Sequence, residues 1–262
     1  MTRSGPRRPR SLLELLQGLI ERTYRMDTGV AEIGRYVIGD EGYRRFYGHR
    51  PPSLRAPEES RAARSAARLA AGEGAASGGG ARPAQAGAAA RVLVHDNPEG
   101  LAAHIYYPDL LIRRLEEAPP MRGLCDRNVD DFATFVEELD HFLFLAERAR
   151  LKRPVSLLEL ELQANVTKYL VCALFLAGSG DRRPRGGARL AEEERRWLLY
   201  HLFEKIEFAE PDPLVRARYR DALRFARRFL DRLEHLPSAS DRVARLRAFH
   251  AATHQQKIAS LA

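Results

Sequence analysis

Residues 155–177, VSLLELELQANVTKYLVCALFLA, decide the fold class. Ser156 with Glu159 three positions later has the form of a capping box, and the segment that follows is apolar on almost every side. A helix apolar all round belongs in a core, so the chain reads as mainly α: a bundle-like core of roughly five or six helices packed on this one. One stripe breaks the pattern. Glu161, Asn165 and Lys168 share a narrow arc with Cys172, while Leu158, Leu162, Val166, Tyr169 and Ala173 form another face. Buried charge is costly unless it is paired, and Asn165 stands where it can bridge the carboxylate of Glu161 and the ammonium of Lys168. The stripe is either a structural polar network, a narrow solvent face, or one wall of a site.

Two other helices carry candidate partners. The preceding one, expected from a cap at Asn128 to about residue 149, places Glu137, Glu138 and His141 among Phe132, Phe135, Val136, Leu139, Phe142 and Leu143. Glu137 and His141 are four apart and can form a hydrogen bond or ion pair across one turn. Glu138 and His141 have the Glu-x-x-His spacing of carboxylate-bridged di-iron bundles, which makes them metal-ligand candidates. A complete ligand set needs a second such motif, and His201-x-x-Glu204 runs in the reverse order, so no cofactor is predicted. The last helix, expected from about Ser240 to Ile258, sets His250, His254 and Lys257 within its apolar stripe. Histidines four apart on one helix can share a ligand, but HAATH has Ala251 where a zinc protease carries glutamate. Catalytic candidates are therefore Glu137, His141, Glu161, Asn165, Lys168, His250, His254 and Lys257.

The rest of the chain divides in three. Ser11 with Glu14 is a second capping box and opens a helix to about residue 26; residues 30–47 read as short helices joined by glycine turns. Residues 1–50 thus form an N-terminal helical segment expected to dock on the core. Residues 51–90 collapse to Ala, Gly, Pro, Ser and Arg, too few large apolar side chains to offset ordering entropy, and read as a flexible linker. Residues 91–262 form the main domain. It begins with candidate strands at 91–94 and 101–107 around DNPEG, a β-hairpin with a four- or five-residue loop, and continues with a short helix at 109–117. Asp212 before Pro213 starts another long helix.

Composition excludes more than it selects. Apolar residues are 45% and charged residues 30%, ordinary for a globular protein, and the longest apolar run is too short for a membrane span without Lys168, so a cytoplasmic protein is expected. The net charge of +8 lies mostly in residues 1–91, where 16 Arg face 9 Asp or Glu. Arg35, Arg44, Arg45 and Arg50 alternate there with aromatic rings, which allows nonspecific nucleic-acid binding, although no recognition motif accompanies them. Arg216, Arg220, Arg224 and Arg227 line one face of the helix after Asp212, with Asp221 and Asp231 close enough to make it a solvated face. Cys125 and Cys172 are too far apart in sequence for a paired-cysteine signature and read as reduced thiols. The phosphate-cradling, dinucleotide and nucleophile-elbow motifs are absent. The leading expectation is a helical interaction or regulatory protein whose partner is another protein, a second copy of the chain included. The alternative is an enzyme or small-ligand binder whose buried polar site draws Glu, His and Lys from three helices.

Overall fold

The computed structural model describes residues 11–47, 90–97, 100–178, 190–206 and 212–261. The expected linker except Ala90, which is buried in the core, Arg50 and most of the loop after residue 177 lie outside these. Among the described residues there are nine α-helices and a three-stranded sheet: α1 (Leu12–Tyr24), β1 (Val37–Ile38), α2 (Asp40–Tyr47), β2 (Arg91–Asn97), β3 (Gly100–Tyr106), α3 (Asp109–Glu117), α4 (Val129–Arg150), α5 (Leu157–Ala177), α6 (Glu192–Leu199), α7 (Pro213–Glu234), α8 (Ala239–Ala251) and α9 (His254–Ala259). The fold is mainly α.

Helix α5 is the centre. It packs on α4 on one side and α7 on the other, and Leu162, Val166 and Cys172 are wholly buried. By length and composition it is apolar enough to cross a membrane, yet more than half of that stretch lies inside the molecule. Contacts Arg148 to Glu159, His141 to Glu161 and Glu137 to Lys168 run in opposite directions along the two chains, so α4 and α5 form an antiparallel hairpin. Helix α1 begins with a complete capping box: Glu14 N–H donates to Ser11 Oγ at 3.2 Å and Ser11 N–H to Glu14 Oε2 at 2.9 Å. Its buried Leu16 and Ile20 join the core, and Arg247 of α8 donates to the carbonyls of Thr23 and Arg22, satisfying α1's open C-terminal end.

Several local expectations are corrected. Residues 30–47 include a strand: Val37 and Ile38 pair in parallel with Ile105 and Tyr106, so the sheet order is β1-β3-β2 and the hairpin has a third neighbour. The hairpin register reaches Asn97 opposite Gly100, leaving two residues between the strands instead of four or five. Asn128 does not cap α4; its amide donates to the carbonyls of Ala118 and Gly123 and its Oδ1 accepts from Cys125 N–H, tying the loop before the helix. The final helix is two: α8 starts after Ser238, which accepts from Asp241 N–H at 3.0 Å, and Thr253 opens α9 with its own capping box to Gln256. Beyond α6 a single π turn, Tyr200–Glu204, continues the helix.

Candidate functional site

The α4–α5 seam places ionisable groups along its whole length. On α4, Glu137, His141, Phe144 and Arg148 recur at spacings of four and three, so one stripe faces α5. Two polar centres result, one at each end.

The first joins Glu137, Glu138 and His141 of α4 to Glu161, Asn165 and Lys168 of α5. Lys168 Nζ donates to Glu137 Oε2 at 2.8 Å, and the ammonium is nine-tenths buried. His141 Nε2 lies 3.9 Å from Glu161 Oε2, too far for a hydrogen bond, and His141 Nδ1 is buried without a partner. One donor atom each of Glu137, His141 and Glu161 falls within 4.8 Å of the others. Asn165 does not bridge carboxylate and ammonium as expected: its Nδ2 turns back to Glu161's backbone carbonyl at 2.8 Å, and its Oδ1 has no hydrogen-bond partner. The Glu137–His141 bond is likewise replaced, Glu137 going to Lys168 while His141 faces Glu161. Glu138, the expected metal companion of His141, instead meets the backbone N–H of Val92 at the start of β2.

Burial sets the protonation of this centre. It pushes the Glu161 carboxyl up to about 8, helped by the negative charge of Glu137 and opposed by Lys168 and Arg218. Glu138 is held well above the usual carboxyl range by burial and by Glu137 and Glu161. The His141 imidazole is pushed down to about 4, again by burial first, with Glu137 pulling the other way. Burial thus favours the protonated carboxyl of Glu161 and the neutral imidazole of His141. Such a pair can donate and accept a proton, and neutral imidazole is the form that binds metal.

The second centre gathers His250 and Lys257 against α4 and α5. Glu159 Oε1 accepts from Lys257 Nζ at 2.8 Å and from Arg148 Nη2 at 3.2 Å. Arg148 also donates to the His250 carbonyl at 2.9 Å, and His250 Nε2 meets Glu147 Oε2 at 2.6 Å. All five side chains are buried. His250 and His254 do not share a ligand, because the break at Thr253 sends His254 Nδ1 to Ser156 Oγ at 2.7 Å. Glu159 makes half of the expected capping box: its N–H donates to Ser156 Oγ, while its carboxylate serves the two cations. The three-helix site anticipated from sequence thus separates into a centre at Glu137/His141/Glu161 whose carboxyl and imidazole do not reach each other and a charge-paired network at Glu159, in which Arg148 Nε and His250 Nδ1 remain unbonded.

Between them sits Asp140, wholly buried, with neither oxygen hydrogen-bonded. Burial lifts its carboxyl to about 7 against the neighbouring Thr167 hydroxyl and the charges of Lys257 and Lys168. Thr167 beside it bonds Tyr24 Oη at 2.9 Å, which ties α1 to the seam. Asp140, Glu147 and Arg148 were not among the candidates, although stepping along α4 from Glu137 by three and four residues reaches Asp140, Phe144 and then Glu147 and Arg148. His201 is used elsewhere, with Nε2 3.0 Å from Asp126 and Nδ1 2.8 Å from Lys205 Nζ, while Glu204 faces Arg227.

A hollow of about 350 Å³ is lined by Cys125, Asp126, Glu193 and Trp197 among others, and one of about 250 Å³ by the turn after α1. The first centre reaches solvent through Glu137, whose side chain is 26% exposed. The chain matches no protein-family model, no curated protein and no solved structure.

Proposed function

We propose that the protein binds a small charged ligand, of ionic size, at the centre formed by Glu137, His141, Glu161, Asn165 and Lys168. The observation that supports this is the contrast between the two ends of one seam. At Glu159 each charge has an opposite charge at hydrogen-bonding distance, with only Arg148 Nε and His250 Nδ1 left unbonded. At Glu161 buried groups are gathered and left incomplete: an imidazole with no hydrogen bond, an amide oxygen with no donor, and a carboxyl facing another carboxylate. Unsatisfied buried polar groups cost roughly 1–3 kcal/mol each, and groups held at such a cost concentrate where binding or proton transfer occurs. Donor atoms of Glu137, His141 and Glu161 within 4.8 Å of one another leave room for an ion.

A partner-binding protein, the other reading drawn from the sequence, has weaker support. The most exposed large apolar side chains, Phe46, Met121, Tyr200 and Leu214, lie on four separate segments.

Stability separates a ligand site from a structural network. Glu161→Leu, measured by urea unfolding in the presence of chelator, is expected to leave stability unchanged or raise it, because an incomplete polar group is exchanged for an apolar one. A loss above about 2 kcal/mol would identify Glu161 as part of a network that holds the fold, and would overturn the proposal.

A further inference from the structure

We propose that Glu137, His141 and Glu161 form a binding site for a divalent first-row transition-metal ion. This rests on the ligand-site reading above and names the ligand. Three independent features of the seam lead to it.

The first is position. Glu137 and His141 stand one turn apart on α4 and Glu161 faces them from α5, so the three donors come from two packed helices of the core. Their atoms lie within 4.8 Å of one another. Ligands about 2.1 Å from a common ion stand roughly 3–4 Å apart, so binding asks for a closure of about 1 Å, within reach of side-chain rotation about fixed helices.

The second is unused valence. His141 is 93% buried by its 7% exposure, its Nδ1 has no hydrogen bond, and its Nε2 points at a carboxylate it does not reach. The Asn165 carbonyl oxygen, 4% exposed and without a donor, stands one turn beyond Glu161 on the same face. Lys168 already holds Glu137 Oε2, which fixes that carboxylate's direction toward the cluster.

The third is donor type. One imidazole nitrogen and two carboxylates suit Zn²⁺, Mn²⁺, Co²⁺ or Fe²⁺ better than the all-oxygen preference of Ca²⁺ or Mg²⁺. Three protein ligands leave positions for water, and solvent reaches them past Glu137. His250 spends Nε2 on Glu147 and His201 has both nitrogens engaged, and among the described residues it is the Glu137/His141/Glu161 group that brings three donors within 4.8 Å of one another.

Co²⁺ is the probe, because its visible absorption reports its ligands directly. Titrated into the metal-free full chain, Co²⁺ is expected to bind one ion per chain with Kd below about 100 μM, and His141→Ala and Glu161→Gln are expected to weaken it at least about tenfold, the low end for losing even an outer-shell partner. His250→Gln is expected to bind as the wild type does. Far-UV circular dichroism checks that each variant is folded; if the His141 variant is not, Mn²⁺ added to the wild type is expected to broaden the amide signals of residues 137–141 and 161–165 and to spare those around His201. No Co²⁺ uptake by the wild type at millimolar concentration, unchanged uptake by folded His141→Ala, or Mn²⁺ broadening centred on His201 would each overturn the proposal. Failure of metal binding with Glu161→Leu as stable as the wild type removes the metal but keeps the ligand site; a destabilised Glu161→Leu removes both.

Discussion

Glu159→Gln should unfold the closed end of the seam. The carboxylate is 3% exposed and faces two cations, Lys257 at 1% and Arg148 at 4%. Glutamine keeps the size of the side chain and an acceptor oxygen, and the helix start is untouched because Ser156 bonds the residue's backbone N–H. What is lost is the charge that neutralises Lys257 and Arg148. Removing one partner of a buried pair leaves an uncompensated ion and costs about 3–5 kcal/mol. For a domain of this size that lowers the midpoint of thermal unfolding by roughly 6–20 °C. Urea denaturation at pH 7, followed by tryptophan fluorescence and circular dichroism, measures the difference. Adding Lys257→Met to Glu159→Gln removes one of the stranded cations and is expected to recover at least about 1 kcal/mol, a non-additivity that only directly interacting residues show. A single-variant loss below about 1 kcal/mol, or strict additivity of the two changes, would show that these cations do not depend on Glu159.

Other outcomes follow from the geometry. Burial holds the His250 imidazole below its ordinary range, so as pH falls below about 6.5 the unfolded chain takes up a proton that the fold refuses, and stability declines. His250→Gln, which retains a donor for Glu147, should flatten the decline between about pH 6.5 and 5; an unchanged slope would refute the assignment. Thr253→Ala removes the N-cap of α9, whose hydroxyl accepts from Gln256 N–H at 3.3 Å, and should cost about 1 kcal/mol in urea unfolding while leaving α8 helical. A Cβ on Gly39 would stand 2.4 Å from Asp109 Oδ1, the oxygen that accepts from Asp40 N–H, so Gly39→Ala should loosen α2 and speed hydrogen exchange at residues 40–44 without changing exchange in α5.

The all-α core was legible because its signals are local. Helix α5 announces itself through Ser156 and an unbroken apolar run, and α7 through Asp212 and Pro213, whose cap forms at 2.8 Å to Leu214 N–H. The strand Val37–Ile38 was not legible, since two residues carry no period and the strand exists only because Ile105 and Tyr106, distant in sequence, offer an edge. Grouping Glu137, His141, Glu161 and Lys168 was within reach of helical phase, which fixes the face of each helix. Phase alone does not fix the sliding of one helix along another. Slide decides that Lys168 meets Glu137 and His141 meets Glu161, and it decides that Glu159 serves Arg148 and Lys257. The break at Thr253 was hidden because HAATH is compatible with an unbroken helix, and only the reciprocal bonds of Thr253 and Gln256 end one helix and start the next.

The bond between Lys257 and Glu159 also orders events in time. The two residues are 98 positions apart, and a chain growing at about 5–20 residues per second exposes Glu159 roughly 5–20 s before Lys257 exists. During that interval the α4–α5 hairpin, though adjacent in sequence and rich in apolar contacts, holds an ionic pair half made, with Arg148 alone to answer Glu159. The Glu159 network is complete only once α9 has been made. A segment of six residues thus supplies the second cation of a network whose carboxylate was synthesised long before it.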